Sequence, residues 1–328
     1  MQTPRVAILL PTYEPKPEHL RSAVESVLRQ SEGHWTLSIQ DDASGADVAA
    51  MITPFLSDPR ITFARNASRR GIGGNWNACL ERARMSGAPF VQFLFQDDHW
   101  EPAYLARCLS VFGRHPSVGL LAVEHAYRFE GEETSRSSYE DIATERHSLP
   151  AEPQDGQTFL RAWLLRGLYP NIIGEPSFVM LRKSLVEGTE NFLEDMPQSL
   201  DTEYWVRALP QTQWCVLHES LGFFRVHAEG TSARNRRAGV GIFDRLRCIE
   251  GAMRRLPSPA DRRAARKALV GILEEMCRKF LRRAKGKESL STQGGSHLRT
   301  FAVRHPLLLT RAMLRALTRS ASSAPPRP

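Results

Sequence analysis

The feature of this chain that most constrains its fold is a regular alternation of two patterns in its first 123 residues. Short apolar runs alternate with segments whose apolar residues recur at helical spacing. The runs lie at residues 5–10, 35–40, 60–64, 89–95 and 118–123. Strand and helix patterns alternate five times within these residues, which is typical of βαβ units. The sequence therefore predicts an α/β fold with a mostly parallel sheet flanked by helices.

Three polar motifs begin where predicted strands end. PTYEP (11–15), DDASG (41–45) and QDDHWEP (96–102) each follow an apolar run. In open α/β sheets, ligands bind in the crevice outside the carboxyl ends of the strands. We therefore expect these motifs to converge on a ligand site. The adjacent carboxylates Asp97 and Asp98 repel each other unless a positive charge lies nearby. The alternative for this pair is a solvated turn.

The charge of the chain is distributed unevenly. From Arg254 to the end, 18 Lys and Arg stand against 4 Asp and Glu, whereas residues 1–253 carry a net charge of −6. The tail lacks interleaved aromatic residues and any nucleic-acid-binding module, so no nucleic-acid partner is expected. Residues 265–281 and 305–320 predict two helices that combine apolar and basic faces. They favour binding to an anionic membrane surface, and the alternative is packing on the catalytic domain or on a second copy of the chain.

The cysteines and the N-terminus bear on the compartment. The five cysteines are widely spaced, odd in number and form no CxxC motif, which favours free thiols in a reducing compartment. The first apolar stretch is too short for a signal peptide, and a proline follows it too early. No apolar run approaches the ~18–20 residues of a membrane span. We expect a cytoplasmic protein, held peripherally at the inner face of the cell membrane by its basic tail.

Eight segments, in this order, resemble the inverting glycosyltransferases of family 2, which have the GT-A fold. The resemblance covers residues 4–230. The segments are VAILLPTYEP, SAVESVLRQ, LSIQDDASG, RNASRRGIGGNWNACLERA, FVQFLFQDDHWEP, IIGEPSFVMLR, DTEYWVRAL and FFRVH. The resemblance implies transfer of a sugar from a nucleotide diphosphate donor to an acceptor hydroxyl, with inversion at the anomeric carbon.

The resemblance implies that the first two motifs bind the donor nucleotide. The PTYE segment supplies Pro11, Thr12, Tyr13 and Glu14. Tyr13 corresponds to the residue that packs against the donor base, and the alternative is a tyrosine that covers the sheet edge. Asp42 corresponds to the carboxylate that accepts the ring N–H of uracil or thymine, while Asp41 braces the loop. The alternative for both aspartates is a helix N-cap.

The segment GIGGNWNACLERARMSG (71–87) is predicted to be a glycine-led loop that runs into a helix, and RRGIGGNWN (69–77) is predicted to lie beside the donor phosphates. Its backbone N–H groups and Arg70 would contact the phosphates, and Asn75 and Asn77 would add polar contacts. The alternative is that the glycines only permit a tight turn and that Trp76 belongs to the core.

Asp97 and Asp98 correspond to the DxD-type element of the family, although Phe95 stands where its first aspartate is usual. A nucleotide diphosphate brings Mg²⁺ or Mn²⁺, which takes carboxylate oxygens as ligands. Asp98 is assigned as the direct metal ligand and Asp97 as a ligand or a ribose contact, with the reverse left open. His227 is assigned to the metal or the diphosphate, and a structural histidine is the alternative.

The resemblance implies that Asp201 is the catalytic base. Inversion in one displacement needs a carboxylate within ~3 Å of the acceptor hydroxyl to take its proton. Glu203 is the second candidate, but residues i and i+2 on a helix diverge by ~200°, so only one of the two faces the site easily. Glu175 is placed on the acceptor side. The alternative for Asp201 is an exposed aspartate at a helix start.

These assignments predict a domain organisation and a function. Residues 1–240 form the transferase domain, with a donor half (1–123) and an acceptor half (124–240) in which EGEETSRSSYEDIATERHS is an exposed excursion. A basic helical extension (241–319) and a disordered tail (320–328) follow. The donor is a UDP- or dTDP-sugar, and the acceptor is a saccharide or a lipid-linked glycan in surface polysaccharide or glycolipid biosynthesis. The alternative, suggested by the missing first aspartate, is a nucleotide-sugar-binding module without transferase activity.

Overall fold

The computed structural model describes residues 3–131, 136–196, 198–227, 230, 234–235, 241–286, 303 and 306–322. The chain forms two compact units. The first comprises Met1–Leu160 and Pro170–Gly230, and the second comprises Arg161–Tyr169 and Thr231–Pro328. The candidate site residues named above all belong to the first unit.

Eleven strands lie among the described residues of the first unit. They are β1 (Val6–Thr12), β2 (Trp35–Asp41), β3 (Ile61–Arg65), β4 (Phe90–Phe93), β5 (His99–Trp100), β6 (Val118–Val123), β7 (Ala126–Glu130), β8 (Gln154–Asp155), β9 (Val179–Arg182), β10 (Gln213–Leu217) and β11 (Gly222–His227). Eight of them form one sheet in the order β3-β2-β1-β4-β9-β6-β10-β8, and the other three form a small sheet in the order β5-β11-β7.

Eleven α-helices accompany the strands in the described part of the chain. They are α1 (Pro17–Leu28), α2 (Val48–Ile52), α3 (Gly71–Met85), α4 (Tyr104–Arg114), α5 (Arg136–His147), α6 (Gly156–Leu165), α7 (Lys183–Gly188), α8 (Leu200–Ala208), α9 (Gly241–Met253), α10 (Pro259–Gly286) and α11 (Pro306–Ser322). Short 3₁₀ turns occupy Thr53–Phe55, Pro176–Phe178 and Leu209–Gln211.

The central strands are buried because helices cover the large sheet. Every residue of β1 and β6 is buried, as expected for strands with both faces covered. The helix α1 starts at a proline, which is compatible with a first helical turn, and it buries Leu20, Val24 and Val27. The predicted α/β class and all five predicted strands are confirmed.

The pairing of the strands brings the predicted motifs to one edge. β1 pairs in parallel with both β2 and β4, so the carboxyl ends of these three strands lie side by side. Two strands break the parallel pattern of the large sheet: β9 runs antiparallel between β4 and β6, and the edge strand β8 runs antiparallel to β10. Because β9 is antiparallel to β4 and β6, its amino end lies beside their carboxyl ends. The segment that precedes β9, which includes Glu175, therefore lies at the edge where the motifs meet.

Two local expectations are wrong. The glycine-led segment is not a loop before a helix, because α3 begins at Gly71 and includes the glycines. The excursion EGEETSRSSYEDIATERHS is not irregular throughout, because Arg136–His147 forms α5. Tyr139 of α5 is buried and its ring packs 4.7 Å from that of Tyr127, so a single aromatic residue anchors this otherwise polar helix.

The second unit contains the predicted basic helices. α10 buries Ala265, Leu269 and Leu273, and α11 packs on α10 and buries Ala312 and Ala316. α11 continues to Ser322, into the predicted tail, and residues 323–328 lie outside the described residues. Among the described residues no helix combines the length and the apolarity needed to cross a membrane. All five cysteines of the chain are buried and free, as predicted.

Candidate active site

The carboxyl ends of β1, β2 and β4 bring the three polar motifs into direct contact. The backbone N–H of Asp42 donates to the carbonyl of Thr12 at 2.9 Å, which joins DDASG to PTYEP. The backbone N–H of Tyr13 donates to Oε1 of Gln96 at 2.8 Å, and Nε2 of Gln96 donates to the carbonyl of Tyr13 at 3.2 Å. These reciprocal bonds join PTYEP to QDDHWEP. The predicted convergence of the motifs is therefore present.

Asp41 braces the first two motifs, as predicted. Its carboxylate is fully buried and accepts hydrogen bonds from Oγ1 of Thr12 at 3.2 Å and from the backbone N–H of Ser44 at 3.1 Å. Pro11 and Thr12 are the buried last residues of β1. These residues fix the backbone at the end of β1, and donor contacts of Pro11 and Thr12 stay a prediction.

Asp42 caps the start of α3. Its Oδ1 accepts from the backbone N–H of Arg70 at 2.7 Å and from Nδ2 of Asn66 at 2.9 Å, and its Oδ2 accepts from the backbone N–H of Gly71 at 2.9 Å. A carboxylate at this position satisfies N–H groups that have no partner within the helix. The alternative of an N-cap residue is not what the structure shows, because Asp47 and Arg70 are the N-cap residues of α2 and α3 and Asp42 bonds the start of α3 from the end of β2. Recognition of a donor base by Asp42 stays a prediction.

The PTYE segment is held by the loop that follows β2. The backbone N–H of Glu14 donates to Oγ of Ser44 at 2.9 Å, and Oε1 of Glu14 accepts from the backbone N–H of Gly45 at 2.6 Å. The guanidinium of Arg69 lies 4.4 Å from the ring centroid of Tyr13. The half-buried Tyr13 therefore presents an aromatic surface in a fixed position, beside a cation.

The polar residues of α3 do not reach toward a donor. Nδ2 of Asn75 donates to the carbonyls of Gln40 at 3.1 Å and Thr12 at 3.3 Å, and Asn75 is buried. Nδ2 of Asn77 donates to the carbonyl of Phe192 at 3.0 Å. The predicted donor contacts of both asparagines are therefore replaced by structural roles, because their amide groups are already bonded to the backbone. Trp76 belongs to the core, and Arg70 has an exposed side chain.

Asp97 and Asp98 lie beside the end of β11. Asp98 is fully buried, and its Oδ1 accepts from the backbone N–H of Arg225 at 3.1 Å. Burial, and next the negative charge of Asp97, raise the pKa of Asp98 well above its ordinary value. Nε2 of His227 lies 3.1 Å from Oδ2 of Asp97. The guanidinium of Arg225 donates to the backbone carbonyl of Asp97 at 2.9 Å and pairs with Glu130.

This cluster has free ligand atoms for a hard cation. Oδ2 of Asp98 and Nδ1 of His227 are buried and have no hydrogen-bond partner among the described residues. Although His227 and Asp97 are in contact, no choice of one ligand atom from each of Asp97, Asp98 and His227 brings all three within 4.8 Å of one another. The residues therefore fit Mg²⁺ or Mn²⁺ only as a partial set, which is the usual arrangement when one or two carboxylates bind the ion and substrate phosphates complete its coordination.

Asp201 lies in the first turn of α8 and is partly exposed. Its Oδ2 accepts from Nδ2 of Asn171 at 2.9 Å, and its Oδ1 accepts from the backbone N–H of Thr202 at 2.7 Å. Burial raises the pKa of Asp201 to about 7, and the charge of Glu175 adds to this effect. A carboxyl group with this pKa both accepts and releases a proton near neutral pH.

Glu175 affects the protonation of both Asp98 and Asp201. Its Oε2 lies 3.1 Å from Nε2 of His125 and 3.8 Å from Nη2 of Arg146. Burial raises the pKa of Glu175, but the imidazole and the guanidinium outweigh this effect and leave the pKa below its ordinary value. Besides burial, the negative charge of Glu175 contributes to the raised pKa of both Asp98 and Asp201. The three carboxyl groups therefore share one electrostatic environment.

Glu203 does not take the acceptor-side role predicted for it. Its carboxylate is buried and bonded by the guanidinium of Arg207, from Nε at 2.9 Å and from Nη2 at 2.7 Å. Arg207 also donates to the backbone carbonyls of Glu190 and Asn191. The carboxylate of Glu203 is therefore fully used in a structural ion pair, and Asp201 is left as the base candidate of α8.

Several residues of the site could not be predicted from a sequence motif. His125 and Arg146 flank Glu175 although the three are far apart along the chain, so no local pattern reveals them. Arg225 is the exception: it stands two residues before His227, on the same face of a strand, and this period-two spacing could have identified it.

The region that a known protein family matches includes Asp42, Asp97 and Asp98 but ends before Glu175, Asp201 and His227. The model of the family described as "Glycosyl transferase family 2" matches residues 7–173. A protein of Mycobacterium tuberculosis, MT1568, is 28% identical over 247 residues, which are 75% of this chain and 75% of that protein. The UDP-Glc:alpha-D-GlcNAc-diphosphoundecaprenol beta-1,3-glucosyltransferase WfgD of Escherichia coli is 38% identical over 96 residues, which are 29% of this chain and 36% of WfgD.

Solved structures share the fold over nearly the whole chain. Residues 1–349 of TarS from S. aureus, in complex with UDP, superpose with a TM-score of 0.64 at 16% identity, covering 97% of this chain and 92% of that one. The mannosyltransferase PcManGT of Pyrobaculum calidifontis, in complex with GDP-Man and Mn²⁺, superposes with a TM-score of 0.59 at 17% identity, covering 97% and 88%.

Proposed function

This chain belongs to glycosyl transferase family 2 and has the GT-A fold, and from that premise we propose the reaction that it catalyses. It transfers a sugar from a nucleotide diphosphate-sugar to an acceptor hydroxyl, with inversion at the anomeric carbon. The observation that supports this most is that the segment 171–177 is hydrogen-bonded to both sides of the site. Nδ2 of Asn171 donates to Asp201 at 2.9 Å, and the backbone N–H of Phe95, just before the Asp97–Asp98 pair, donates to Oγ of Ser177 at 2.9 Å. A donor-side carboxylate and an acceptor-side base in one site are what a single displacement requires.

On the donor side, the aromatic ring of Tyr13 and the carboxylate of Asp42 are proposed to bind the nucleotide base. A UDP- or dTDP-sugar is favoured because uracil and thymine each offer a ring N–H to a carboxylate. Asp98, Asp97 and His227 would hold Mg²⁺ or Mn²⁺, in keeping with the Mn²⁺ in the PcManGT complex. When bound, this cation offsets the charge that develops on the departing diphosphate.

On the acceptor side, Asp201 is proposed to be the general base. Its carboxylate accepts the proton of the acceptor hydroxyl as the oxygen bonds to the anomeric carbon, while the bond from that carbon to the diphosphate breaks and its electrons leave with the diphosphate. The hydrogen bond from Asn171 holds the side chain in place. The raised pKa of about 7 makes Asp201 a stronger base than an ordinary aspartate.

The proposed function is tested by separating transfer from donor binding. The variant Asp201→Asn is expected to lower kcat/KM by about 10²–10⁴-fold, since a positioned base contributes about that much. Thermal shifts caused by UDP-, dTDP- and GDP-sugars, with and without Mn²⁺, should be the same in the variant as in the wild type. Asp141→Asn, an exposed aspartate on α5, is the matched control and should retain full transfer. Equal transfer rates in Asp201→Asn and wild type would remove Asp201 as the base.

One observation favours a second function, nucleotide-sugar binding without transfer. Phe95 occupies the position of the usual first aspartate, and its ring stacks on Trp76 with centroids 4.8 Å apart. The position is therefore apolar and offers no metal ligand. If the wild type binds donors but neither transfers nor hydrolyses them with any acceptor tested, the chain is a binding module.

The acceptor and the location are proposed from the relatives and from the second unit. The acceptor of WfgD is linked to diphosphoundecaprenol, and we infer a lipid-linked or saccharide acceptor in surface polysaccharide or glycolipid synthesis for this chain. α11 exposes Leu307 and Leu314, which are 83% and 59% exposed, in a segment rich in arginine. An amphipathic basic helix of this kind suits peripheral binding to an anionic membrane.

A further inference from the structure

A second cluster of ligating side chains lies outside the site described above. Oε1 of Glu124 is 2.9 Å from Nδ1 of His147 and 2.7 Å from Nδ1 of His218. Among the described residues, these three form the one group of histidine, cysteine and acidic side chains whose ligand atoms all lie within 4.8 Å of one another. The two imidazole rings stand nearly perpendicular, with centroids 5.3 Å apart, so both direct the same nitrogen at one carboxylate oxygen.

The hydrogen bond of Nε2 of His218 bears on the protonation of Nδ1, the nitrogen that faces the carboxylate of Glu124. Nε2 of His218 is 2.9 Å from the backbone carbonyl of Leu149, which can only accept a hydrogen bond. The proton of a neutral ring is therefore on Nε2, and Nδ1 directs a lone pair at the carboxylate of Glu124. Two lone pairs at 2.7 Å repel each other unless a cation lies between them or the ring carries a second proton.

A backbone carbonyl that fixes the tautomer of a histidine is the usual support of a metal ligand. The backbone around the cluster is also held in place. Glu124 and Leu217, the neighbour of His218, are joined by a backbone hydrogen bond of 3.0 Å, and the backbone N–H of Leu149 donates to the carbonyl of Arg146 at 3.1 Å. The three ligands thus come from the ends of β6, α5 and β10, which are positioned before any ion binds.

We propose that Glu124, His147 and His218 bind one zinc ion. Two imidazole nitrogens and one carboxylate oxygen are a zinc ligand set, with water in the fourth position. Tetrahedral zinc with bonds of about 2.0–2.2 Å keeps its ligand atoms roughly 3.3 Å apart, so the present contacts need to open by only about half an ångström. The side chains of Glu124 and His218 are 18% and 21% exposed, whereas that of His147 is 74% exposed, which leaves a path for the ion to enter.

The ion would also steady the acceptor side of the proposed active site. Glu124 and His147 are the chain neighbours of His125 and Arg146, the two residues that flank Glu175. A metal that joins the end of α5 to the ends of two strands would restrain the positions of His125 and Arg146 at the same time. This consequence rests on the proposed function, whereas the zinc site itself does not and is tested without any measurement of transfer.

The test is zinc titration by calorimetry of the full chain, first stripped of metal. Excess Mg²⁺ is kept present, because it occupies a carboxylate site but competes weakly for imidazole nitrogen. The wild type is expected to bind one zinc ion. His218→Ala should weaken the affinity by more than about 100-fold, since even the groups that only support a ligand contribute about 10- to 100-fold. Zinc should also raise the Tm of the wild type and leave that of His218→Ala unchanged.

The matched control is His34→Ala. Nδ1 of His34 lies 2.7 Å from Oε1 of Glu32, so this exposed residue forms the same type of pair, and in the part of the chain that the structure describes no third histidine, cysteine or acidic residue completes a three-ligand group with them. The control should bind zinc as tightly as the wild type. If His218→Ala does not fold, Co²⁺ bound to the wild type should show visible bands of nitrogen ligation that zinc abolishes. Absence of zinc binding by the wild type, or equal affinity in His218→Ala, would overturn the proposal and leave a protonated histidine paired with Glu124.

Discussion

At the scale of single residues, the site contains carboxyl groups whose pKa values differ because their surroundings differ. Asp201 has few compensating partners, so burial raises its pKa to about 7. Glu175 lies against an imidazole and a guanidinium, and its pKa is lowered despite burial. Surroundings that push the pKa values of neighbouring acids apart assign them different roles. Glu175 stays ionised and shapes the local field, while Asp201 can exchange a proton near neutral pH.

We predict that the pH dependence of transfer follows Asp201. A general base is active only when deprotonated, so kcat/KM should rise about tenfold per pH unit below the pKa of Asp201 and level off above it. The break is expected near pH 7, because the pKa of Asp201 is about 7. A rate that is flat from pH 5 to pH 8, measured with saturating donor, would show that another group takes the proton.

We predict that Glu203 stabilises the protein rather than the transition state. Glu203→Gln leaves the buried guanidinium of Arg207 without its counter-charge, which should lower the free energy of unfolding by about 3–5 kcal/mol. The matched control is Glu187→Gln on α7, because Glu187 forms an exposed pair with Lys183 at 3.6 Å. The control substitution should lower the free energy of unfolding by less than about 1 kcal/mol. Urea denaturation measures both, and equal losses would contradict the structural role of Glu203.

At the scale of elements, the start of α3 depends on a residue from another strand. Asp42 at the end of β2 caps the helix from 28 and 29 residues away, through the backbone N–H groups of Arg70 and Gly71. The glycines of α3 permit close packing: a Cβ at Gly73 would lie 2.7 Å from the backbone of Glu194. The helix is thus anchored to the strand edge by tertiary contacts, which compensate for the low helix propensity of its first turn.

We predict that Asp42→Ala destabilises the protein more than removal of a local cap does. The substitution leaves two backbone N–H groups at the start of α3 without their partner and removes one of the two hydrogen bonds that Nδ2 of Asn66 donates, which should cost about 2 kcal/mol or more. The comparison is Asp47→Ala, because Asp47 caps α2 from an exposed position with one hydrogen bond of 3.0 Å. That substitution should cost about 1 kcal/mol. Hydrogen exchange at Gly71, faster only in Asp42→Ala, locates the effect, and equal losses in the two variants would contradict it.

At the scale of the whole molecule, the two units have different surfaces. The first holds the acidic site, and the second carries most of the excess positive charge of the chain. Basic residues near an anionic membrane each contribute about 1 kcal/mol to binding, and exposed leucines add apolar area. A transferase whose acceptor is lipid-linked would gain from such a surface, because membrane binding raises the local concentration of the acceptor.

We predict that α11 contributes to membrane binding. Substituting Leu307 and Leu314 by serine should weaken binding to vesicles of anionic lipid, measured by co-sedimentation, by about 30- to 150-fold, because two leucines contribute roughly 2–3 kcal/mol when partly inserted. The variant should fold normally, since both side chains are exposed. The matched control is Met85→Ser on α3 of the first unit, which is 82% exposed and should leave binding unchanged. Equal sedimentation of all three proteins would exclude α11 as the contact.

Sequence patterns were enough to predict the α/β class, five of the eleven strands among the described residues, most helices and the edge at which the motifs meet. These follow from local periodicity and from the rule that parallel strands end together, whereas the family was predicted from the resemblance of eight segments in order. Which polar groups are tied up in structural bonds could be learned only from the tertiary contacts. Asn75 and Glu203 look as available in the sequence as Asp98 and Asp201, yet the first two are bonded to a carbonyl or a guanidinium. Hydrogen-bond partners come from distant parts of the chain, as Asp98 and Arg225 do, so no local pattern can show which donors and acceptors are already paired.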